Sequence, residues 1–394
     1  MQKKVILKKG KEESLQRFHP WIFSGAIVSI EGNPEEGDVV DVVTSQDQWL
    51  AVGHIQVGSI AVRILSFTRK TIDQTFWEER LSRAYDVRRT LGVTSSATHN
   101  IYRLIHGEGD GLPGLVIDIY GRTAVVQAHS VGMHRSREII SRTLIDVMHG
   151  EIESVYYKSE TTLPFKAQVE RAGGYIIGGP VEGDTLLEYG MKMPVDWING
   201  QKTGLFIDQR ENRALLERMS QGRTVLNMFC YTGGFSIAAL RGGARLVHSV
   251  DSSARAIELT RQGVAVNFPD DTRHEAFAED AFRYLDSMEP IYDLVVLDPP
   301  AFAKHKDALK RALLGYRRLN EKAFLKIRPG GIIFTFSCSQ VVSKEQFRTS
   351  VFTAAAIAGR SVRILYQLHQ PADHPVSIFH PEGEYLKGLV LYVE

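Results

Sequence analysis

The stretch from Thr224 to Ser236, TVLNMFCYTGGFS, constrains the fold of this 394-residue chain more than any other. Residues 225–229 are a short apolar run of the length of a buried parallel strand. The run breaks at Cys230-Tyr231-Thr232-Gly233-Gly234, and a helix is predicted over 235–241. A strand, a tight glycine turn and a helix make the first unit of a nucleotide-binding α/β domain, because glycine lets the backbone approach a ligand that a Cβ would repel. The dinucleotide fingerprint G-x-G-x-x-G is absent, since Phe235, Ser236 and Ile237 follow Gly233-Gly234. The turn therefore suits a nucleoside-type ligand without a pyrophosphate. An ordinary strand-to-helix turn can also hold two glycines, so its meaning depends on the rest of the chain.

The segments after it continue the alternation. A polar loop, residues 199–210, leads into a helix before the turn. A second strand is predicted over 246–250, ending in Asp251-Ser252, with a helix over 254–267. Glu279-Asp280-Ala281-Phe282 is expected to end the third strand region, and residues 292–297 form a buried strand finishing in Asp298-Pro299-Pro300. An amphipathic helix is predicted over 307–327, then a fifth strand over 332–336 ending in Ser337-Cys338-Ser339. Ser343-Lys344-Glu345-Gln346 reads as a capping box opening another helix. Strands over 362–368 and 386–393 close the chain. Alternating strands and helices imply a parallel, doubly wound sheet. The last two strands are joined by a loop, which implies an antiparallel closing pair.

Upstream, the first 70 residues read as small and β-rich, with strands at 39–43 and 60–65 and a loop with exposed or half-buried aromatics at 19–25. Lys3, Lys4, Lys8, Lys9, Lys11 and Arg17 make a basic edge that is either merely solvated or contacts phosphate. A linking helix is predicted over 71–89, with Phe76, Leu81, Tyr85 and Val87 as its apolar face. A central α/β block follows, with a hairpin of 115–120 and 124–128, a helix over 133–148 and strands at 155–158, 175–178 and 186–193. The expected domains are 1–70, 71–190 and 191–394.

Charge is balanced at 47 basic against 46 acidic residues, so a nucleic-acid partner would need a local basic surface. Lys304, Lys306, Lys310, Arg311, Arg317, Arg318, Lys322 and Lys326, against Asp307 and Glu321, are a candidate beside Asp298, with a solvated helix face as the alternative. The two cysteines argue against a disulfide scaffold or a zinc site. With no long apolar segment and no signal-peptide pattern, a cytoplasmic protein without membrane contact is expected.

Ligands of open α/β sheets bind beyond the carboxyl ends of the strands. Here those ends carry Tyr231-Thr232-Gly233, Asp251, Asp280, Asp298 and Cys338. Asp251, roughly 20 residues after the turn, suits a grip on ribose hydroxyls. S-adenosylmethionine (SAM) is a ligand with a ribose and no pyrophosphate. A carboxylate and a thiol on neighbouring strands could face one pocket. A thiolate adding to carbon 6 of cytosine makes carbon 5 nucleophilic, and a carboxylic acid at ring nitrogen 3 stabilises the charge that develops. Cys338 fits the first role and Asp298 the second, whereas Cys230 reads as packing.

The GQKTG-x-x-x-DQR-x-N loop, NMFCYTGGFS, DPPAF and the SCS strand end resemble the bacterial ribosomal RNA large subunit methyltransferase I family. HPWIFSGAI and GDVVDV resemble that family's N-terminal PUA domain, and GEGDGLPGLVIDIYG its central domain. The resemblance spans the whole chain. It implies an N-terminal RNA-binding PUA domain, a central α/β domain and a C-terminal Rossmann-like class I methyltransferase that makes 5-methylcytosine in 23S ribosomal RNA from SAM. It implies Cys338 as nucleophile and Asp298 as its partner, Asp298 also standing among the cofactor residues. Phe206, Asp208, Gln209 and Arg210 would lie beside the cofactor. Asn227, Phe229, Tyr231, Thr232 and Gly233 would line the methionine end, Asp251 and Ser252 the ribose, and Asp280 and Ala281 the adenine. RNA is the implied partner, and a homodimer is left open. One departure is Ala301, where many RNA cytosine-5 methyltransferases have a second cysteine after the Asp-x-Pro motif. Two other readings remain open: a methyltransferase acting on a guanine or adenine nitrogen, and a non-catalytic RNA-binding assembly factor.

Overall fold

The computed structural model describes residues 3–165, 167–303 and 305–394. Tertiary contacts divide the chain into two compact units whose pieces interleave. One comprises the chain up to Leu187 together with Asp196–Ile207 and Ala372–Gly383; the other comprises Glu188–Val195, Asp208–Pro371 and Glu384–Glu394.

The first unit contains two sheets. In the six-stranded sheet Val39–Val43, Trp49–Ile55 and Ile60–Ser66 are antiparallel neighbours, and Lys4–Leu7 lies between Val39–Val43 and Ile27–Glu31. Alternation in these strands turns Val5, Leu7, Val40, Val42, Val62 and Ile64 into one core. Residues 19–25 depart from the expected loop: Trp21–Phe23 is a short strand paired with Ile60–Ser66, followed by a 3-10 turn, Ser24–Ala26. The pairing takes up backbone groups that a loop would leave to water. Trp49–Ile55 is a further strand beyond the two expected here. Gly53 marks it, since a Cβ there would lie 2.3 Å from the Arg63 carbonyl oxygen across the strand pair.

The second sheet runs in the order Gly174–Ile177, Ser154–Tyr157, Thr123–Ala128, Leu115–Tyr120, Ile101–His106. The linking helix is Gln74–Thr90, capped by Asp73, whose carboxylate accepts from the Phe76 N–H at 3.1 Å. Its buried face includes Phe76, Leu81 and Tyr85 as expected and Trp77 in addition, but Val87 is exposed and Arg88 is fully buried in its place. The Arg88 guanidinium donates to both Asp110 oxygens and to the Arg103 and Asp373 carbonyls, which is what lets a charge occupy the core. The helix expected over 133–148 is two, Val131–Arg135 and Arg137–Val147, meeting at Ser136. The strand expected over 186–193 folds back at Tyr189 and Gly190, both with positive φ, so that Leu187–Glu188 pairs with Met191–Lys192.

The second unit is built on a seven-stranded sheet: β1 Thr224–Met228, β2 Leu246–Asp251, β3 His274–Ala278, β4 Leu294–Leu297, β5 Gly331–Ser337, β6 Val362–Leu368 and β7 Lys387–Val393. Its spatial order is β3-β2-β1-β4-β5-β7-β6. The first five strands are parallel, and β7 runs antiparallel to both β5 and β6. Helices Gly234–Arg241, Ala254–Asn267, Ala281–Ser287, Leu309–Lys326 and Lys344–Ile357 link these strands. Ser343 and Gln346 form the expected capping box of the last. The order reverses between β1 and β4, and that is where such sheets open a crevice beyond their carboxyl ends. The four residues expected to end the third strand region lie beyond β3, which stops at Ala278; Asp280 caps the next helix by accepting from the Arg283 N–H at 3.0 Å, and Ala281 and Phe282 are its first turn. An Asp followed by an apolar helical pair is an N-cap signal that outweighs the apolar run as a strand signal.

Candidate active site

The turn after β1 is held in a conformation that side chains resist. Phe229, Tyr231 and Gly233 have φ of 58°, 48° and 77°. Positive φ at two aromatic residues is a sparsely populated state that persists where the surroundings impose it. Asp251 at the end of β2 is one such constraint. Its carboxylate accepts the Tyr231 N–H at 3.0 Å and the Ser253 N–H at 2.9 Å. Thr260 is another, donating to the Tyr231 carbonyl at 3.0 Å. Gly233 is required by the same packing, because a Cβ would fall 2.6 Å from the Thr260 methyl. Cys230 is buried against Thr260 and its thiol is pushed up to about 12, first by burial, consistent with packing.

Asn227 lies inside β1, with its amide donating to Ser236 Oγ at 2.9 Å. Its carbonyl oxygen is buried without a hydrogen-bond partner among the described residues. Thr232 is buried, Phe229 and Tyr231 are half-buried, and Ser252 and Asp280 are exposed. Ala281 is buried.

A second cluster forms across the ends of β4 and the helix Arg210–Arg218. Gln209 donates to Asp298 Oδ2 at 2.9 Å and accepts from the Asn212 amide at 2.6 Å. Asp208 Oδ2 accepts from the Tyr385 hydroxyl at 2.6 Å, while its Oδ1 is buried without a hydrogen-bond partner among the described residues. Burial, then the Asp208 charge, push Asp298 up to about 7, against the hydrogen bond from Gln209 and the charge of Arg213. Asp298 is thus poised between acid and carboxylate near neutral pH. Arg210 is buried, bonded to Glu211 at 3.1 Å and set over the Tyr189 ring at 5.9 Å. Phe206 is half-buried and belongs to the first unit.

Cys338 is half-buried one residue past β5. The register pairs Leu297 with Thr335, so Asp298, the residue after β4, comes level with Phe336, and Cys338, the residue after β5, lies two residues further along the neighbouring chain segment. Ser339 anchors this end: its hydroxyl is 3.0 Å from the Tyr316 hydroxyl and accepts from the Ala303 N–H at 3.4 Å. Sequence reasoning missed Lys387. It opens β7 opposite Ser337, is buried, and its Nζ donates to the Ser339 carbonyl at 2.7 Å. Burial pushes its ammonium down to about 8, and a negative charge on Cys338 is the foremost influence holding it up. An ammonium and a thiolate in such surroundings stabilise one another. The only hint in sequence was a lysine inside a strand-like run.

On the candidate RNA-facing segment, Lys306, Lys310, Arg311 and Arg318 are exposed. Lys322 pairs with Asp286, and Lys326 donates to the Met288 carbonyl. Lys304 lies outside the described residues. No helix among those described is long and apolar enough to cross a membrane.

The strand order, the strained glycine turn stitched to Asp251, and the oxygens of Asn227 in β1 and Asp208 just before the helix Arg210–Arg218, unpartnered among the described residues, fit a ligand that donates hydrogen bonds, as the amine and ribose of SAM do. A family profile for S-adenosylmethionine-dependent methyltransferases matches residues 103–377, and one for a PUA-like domain matches residues 5–67. The fold and the site define a SAM-dependent methyltransferase. The ribosomal RNA large subunit methyltransferase I of Klebsiella pneumoniae is 39% identical over 397 residues, covering 99% of this chain and 98% of the relative. That of Aeromonas salmonicida is 40% identical over 393 residues, covering 98% of each. A chain described as a SAM-dependent methyltransferase of Streptococcus mutans shares the fold with a TM-score of 0.83 at 23% identity, and a methyltransferase solved with SAH bound does so at 0.85, each with full coverage of both chains. Within that class the chain belongs to the ribosomal RNA large subunit methyltransferase I family.

Proposed function

We propose that this protein methylates carbon 5 of a cytosine in 23S ribosomal RNA through a covalent bond between Cys338 and carbon 6. The observation that carries this reading is the half-buried thiol just past β5, on the segment neighbouring the raised Asp298 carboxyl and within electrostatic reach of the buried Lys387. The relatives' name, a ribosomal RNA large subunit methyltransferase, supports the substrate class. SAM, when bound, supplies the methyl group. Charge on Lys387 favours the Cys338 thiolate, which adds to carbon 6 and sends the double-bond electrons toward carbon 5 and ring nitrogen 3. Protonated Asp298 donates a hydrogen bond to that nitrogen as charge develops. Once carbon 5 carries the methyl group its proton leaves to a base, the double bond re-forms, and the thiolate departs. Mass-spectrometric mapping of methylated bases in RNA from cells lacking the protein tests the assignment. One missing 5-methylcytosine in 23S RNA is expected, and loss of a methylated purine would overturn it.

Asp251 is assigned to the ribose hydroxyls, and it also fixes the turn through Tyr231. Calorimetry should show SAM binding and no NAD binding, because the turn offers no pyrophosphate site. Asp251→Ala should weaken SAM by roughly 1–3 kcal/mol, the scale of a charge-assisted hydrogen bond. Unchanged affinity would remove Asp251 from the site.

RNA affinity is expected to fall steeply with salt despite the formal net charge of +1. If Lys306 and Lys310 each meet a phosphate, changing both to Gln should flatten the slope of log affinity against log salt by about 1.5. A slope that does not move would put the RNA on another surface.

A further inference from the structure

Away from the methyl-transfer chemistry, three side chains of the first unit are arranged as metal ligands are. His19 precedes the strand Trp21–Phe23, and His380 and Glu382 lie on the turn around Pro381–Gly383. One ligand atom from each lies within 4.8 Å of the other two. His19 Nε2 is 4.0 Å from one Glu382 oxygen, and His380 Nε2 is 3.8 Å from the other. These spacings are too long for hydrogen bonds and close to what two ligands of one ion span.

His380 is the independent observation. The residue is only 3% exposed, yet neither ring nitrogen has a hydrogen-bond partner among the described residues. A buried imidazole with both nitrogens idle is costly, and buried polar atoms of that kind call for a specific explanation. Its surroundings do not supply one. The Trp21 ring stands 4.3 Å away, centroid to centroid, and the indole N–H donates instead to Glu108 at 2.8 Å, as does Arg63 at 3.2 Å. His19 is oriented for the same ion. Its Nδ1 is 3.2 Å from the Trp21 carbonyl. The Trp21 N–H also points to that nitrogen at 3.2 Å; in the tautomer whose Nδ1–H donates to the carbonyl, the Nε2 lone pair faces Glu382, the arrangement of a histidine that ligates through its other nitrogen.

We propose that His19, His380 and Glu382 bind a zinc-class divalent cation. Two imidazoles and one carboxylate suit zinc and its late first-row neighbours, whereas magnesium and calcium prefer oxygen ligands throughout. Glu382 is half exposed on its turn, so its carboxylate can swing the short distance that closes the ligand set, with water completing the coordination. The ion ties the segment leading into the strand Trp21–Phe23 to the loop between β6 and β7, and it accounts for a buried histidine that packing alone leaves unsatisfied.

The test uses the full-length protein, stripped with a chelator and titrated with Zn²⁺ against a chromogenic competitor. One equivalent per chain is expected, and His380→Gln and Glu382→Gln should each weaken binding at least about tenfold. Co²⁺ in place of Zn²⁺ should give a visible absorption band that His380→Gln abolishes. His380→Gln disturbs a buried site, but the Glu382 carboxylate reaches solvent, so Glu382→Gln separates lost ligation from lost folding. Absence of stoichiometric binding, or equal affinity in the wild type and Glu382→Gln, would overturn the proposal.

Discussion

RNA carrying 5-fluorocytosine at the target position is expected to trap the protein as a covalent adduct that survives denaturing electrophoresis and requires SAM. Fluorine replaces the proton that must leave carbon 5, so the thiolate cannot be expelled after methyl transfer. Cys338→Ala should abolish both adduct and turnover while SAM affinity stays within about a few-fold, because the thiol is assigned to the base and not to the cofactor. Cys338→Ser should be nearly as inactive, a hydroxyl being far less ionised than a thiol at neutral pH. Cys230→Ala, at a thiol buried against Thr260, should still form the adduct. Lys387→Met reports on the same thiol from outside the reaction. Without the buried ammonium, alkylation of Cys338 should slow, since the thiolate loses its charged neighbour. Substantial methylation by Cys338→Ala would instead point to a base nitrogen as the acceptor.

Asp298→Asn is expected to act in opposite directions on catalysis and on stability. The amide can keep the Gln209 hydrogen bond but has no acid proton to share with ring nitrogen 3, so activity should fall by about 10²-fold or more. Stability should rise with a definite pH dependence. The folded carboxyl is raised to about 7 from the ordinary 3.8, so the folded state holds the proton more tightly than the unfolded chain. The wild type therefore loses stability as pH climbs from 3.8 to about 7, and the full penalty is present above that range. At about pH 8 the variant should be more stable by roughly 2–4 kcal/mol, and the difference should vanish near pH 4. Urea unfolding at the two pH values measures this. A variant no more stable than the wild type at the higher pH would mean that Asp298 is ionised in the fold without strain.

The catalytic sheet was legible because its strands are apolar runs closed by glycine, proline or aspartate, and its helices carry strong periodicity. The strands over 332–336 and 362–368 and the helix over 254–267 lie within a residue of their observed bounds. Gln209, named from a family resemblance, donates to Asp298, which the strand-end pattern already marks, and the adjacent Asp208 accepts from Tyr385. What stayed hidden depends on tertiary neighbours. Lys387 looks like any strand-end lysine until register sets it opposite Ser337. Arg88 and Val87 are adjacent, and only the acceptors waiting at Asp110, Arg103 and Asp373 decide which of them turns inward. Trp21–Phe23 draws on Ile60–Ser66, a partner far along the chain and beyond the reach of local propensity.

The interleaving of the two units has a consequence for synthesis on the ribosome. Most of the first unit is encoded before residue 208, yet Ala372–Gly383 belongs to it. The Asp373 carboxylate accepts the Arg103 N–H at 3.0 Å, its carbonyl accepts from Arg88 at 2.7 Å, and Gly109 has no Cβ because Pro375 passes against it. A nascent chain lacking that late segment lacks the Asp373 acceptors that Arg88 and Arg103 use in the finished fold. The amino-terminal half therefore waits, incomplete, for residues made almost last, and a premature stop near the carboxyl terminus would damage the part of the protein that was translated first.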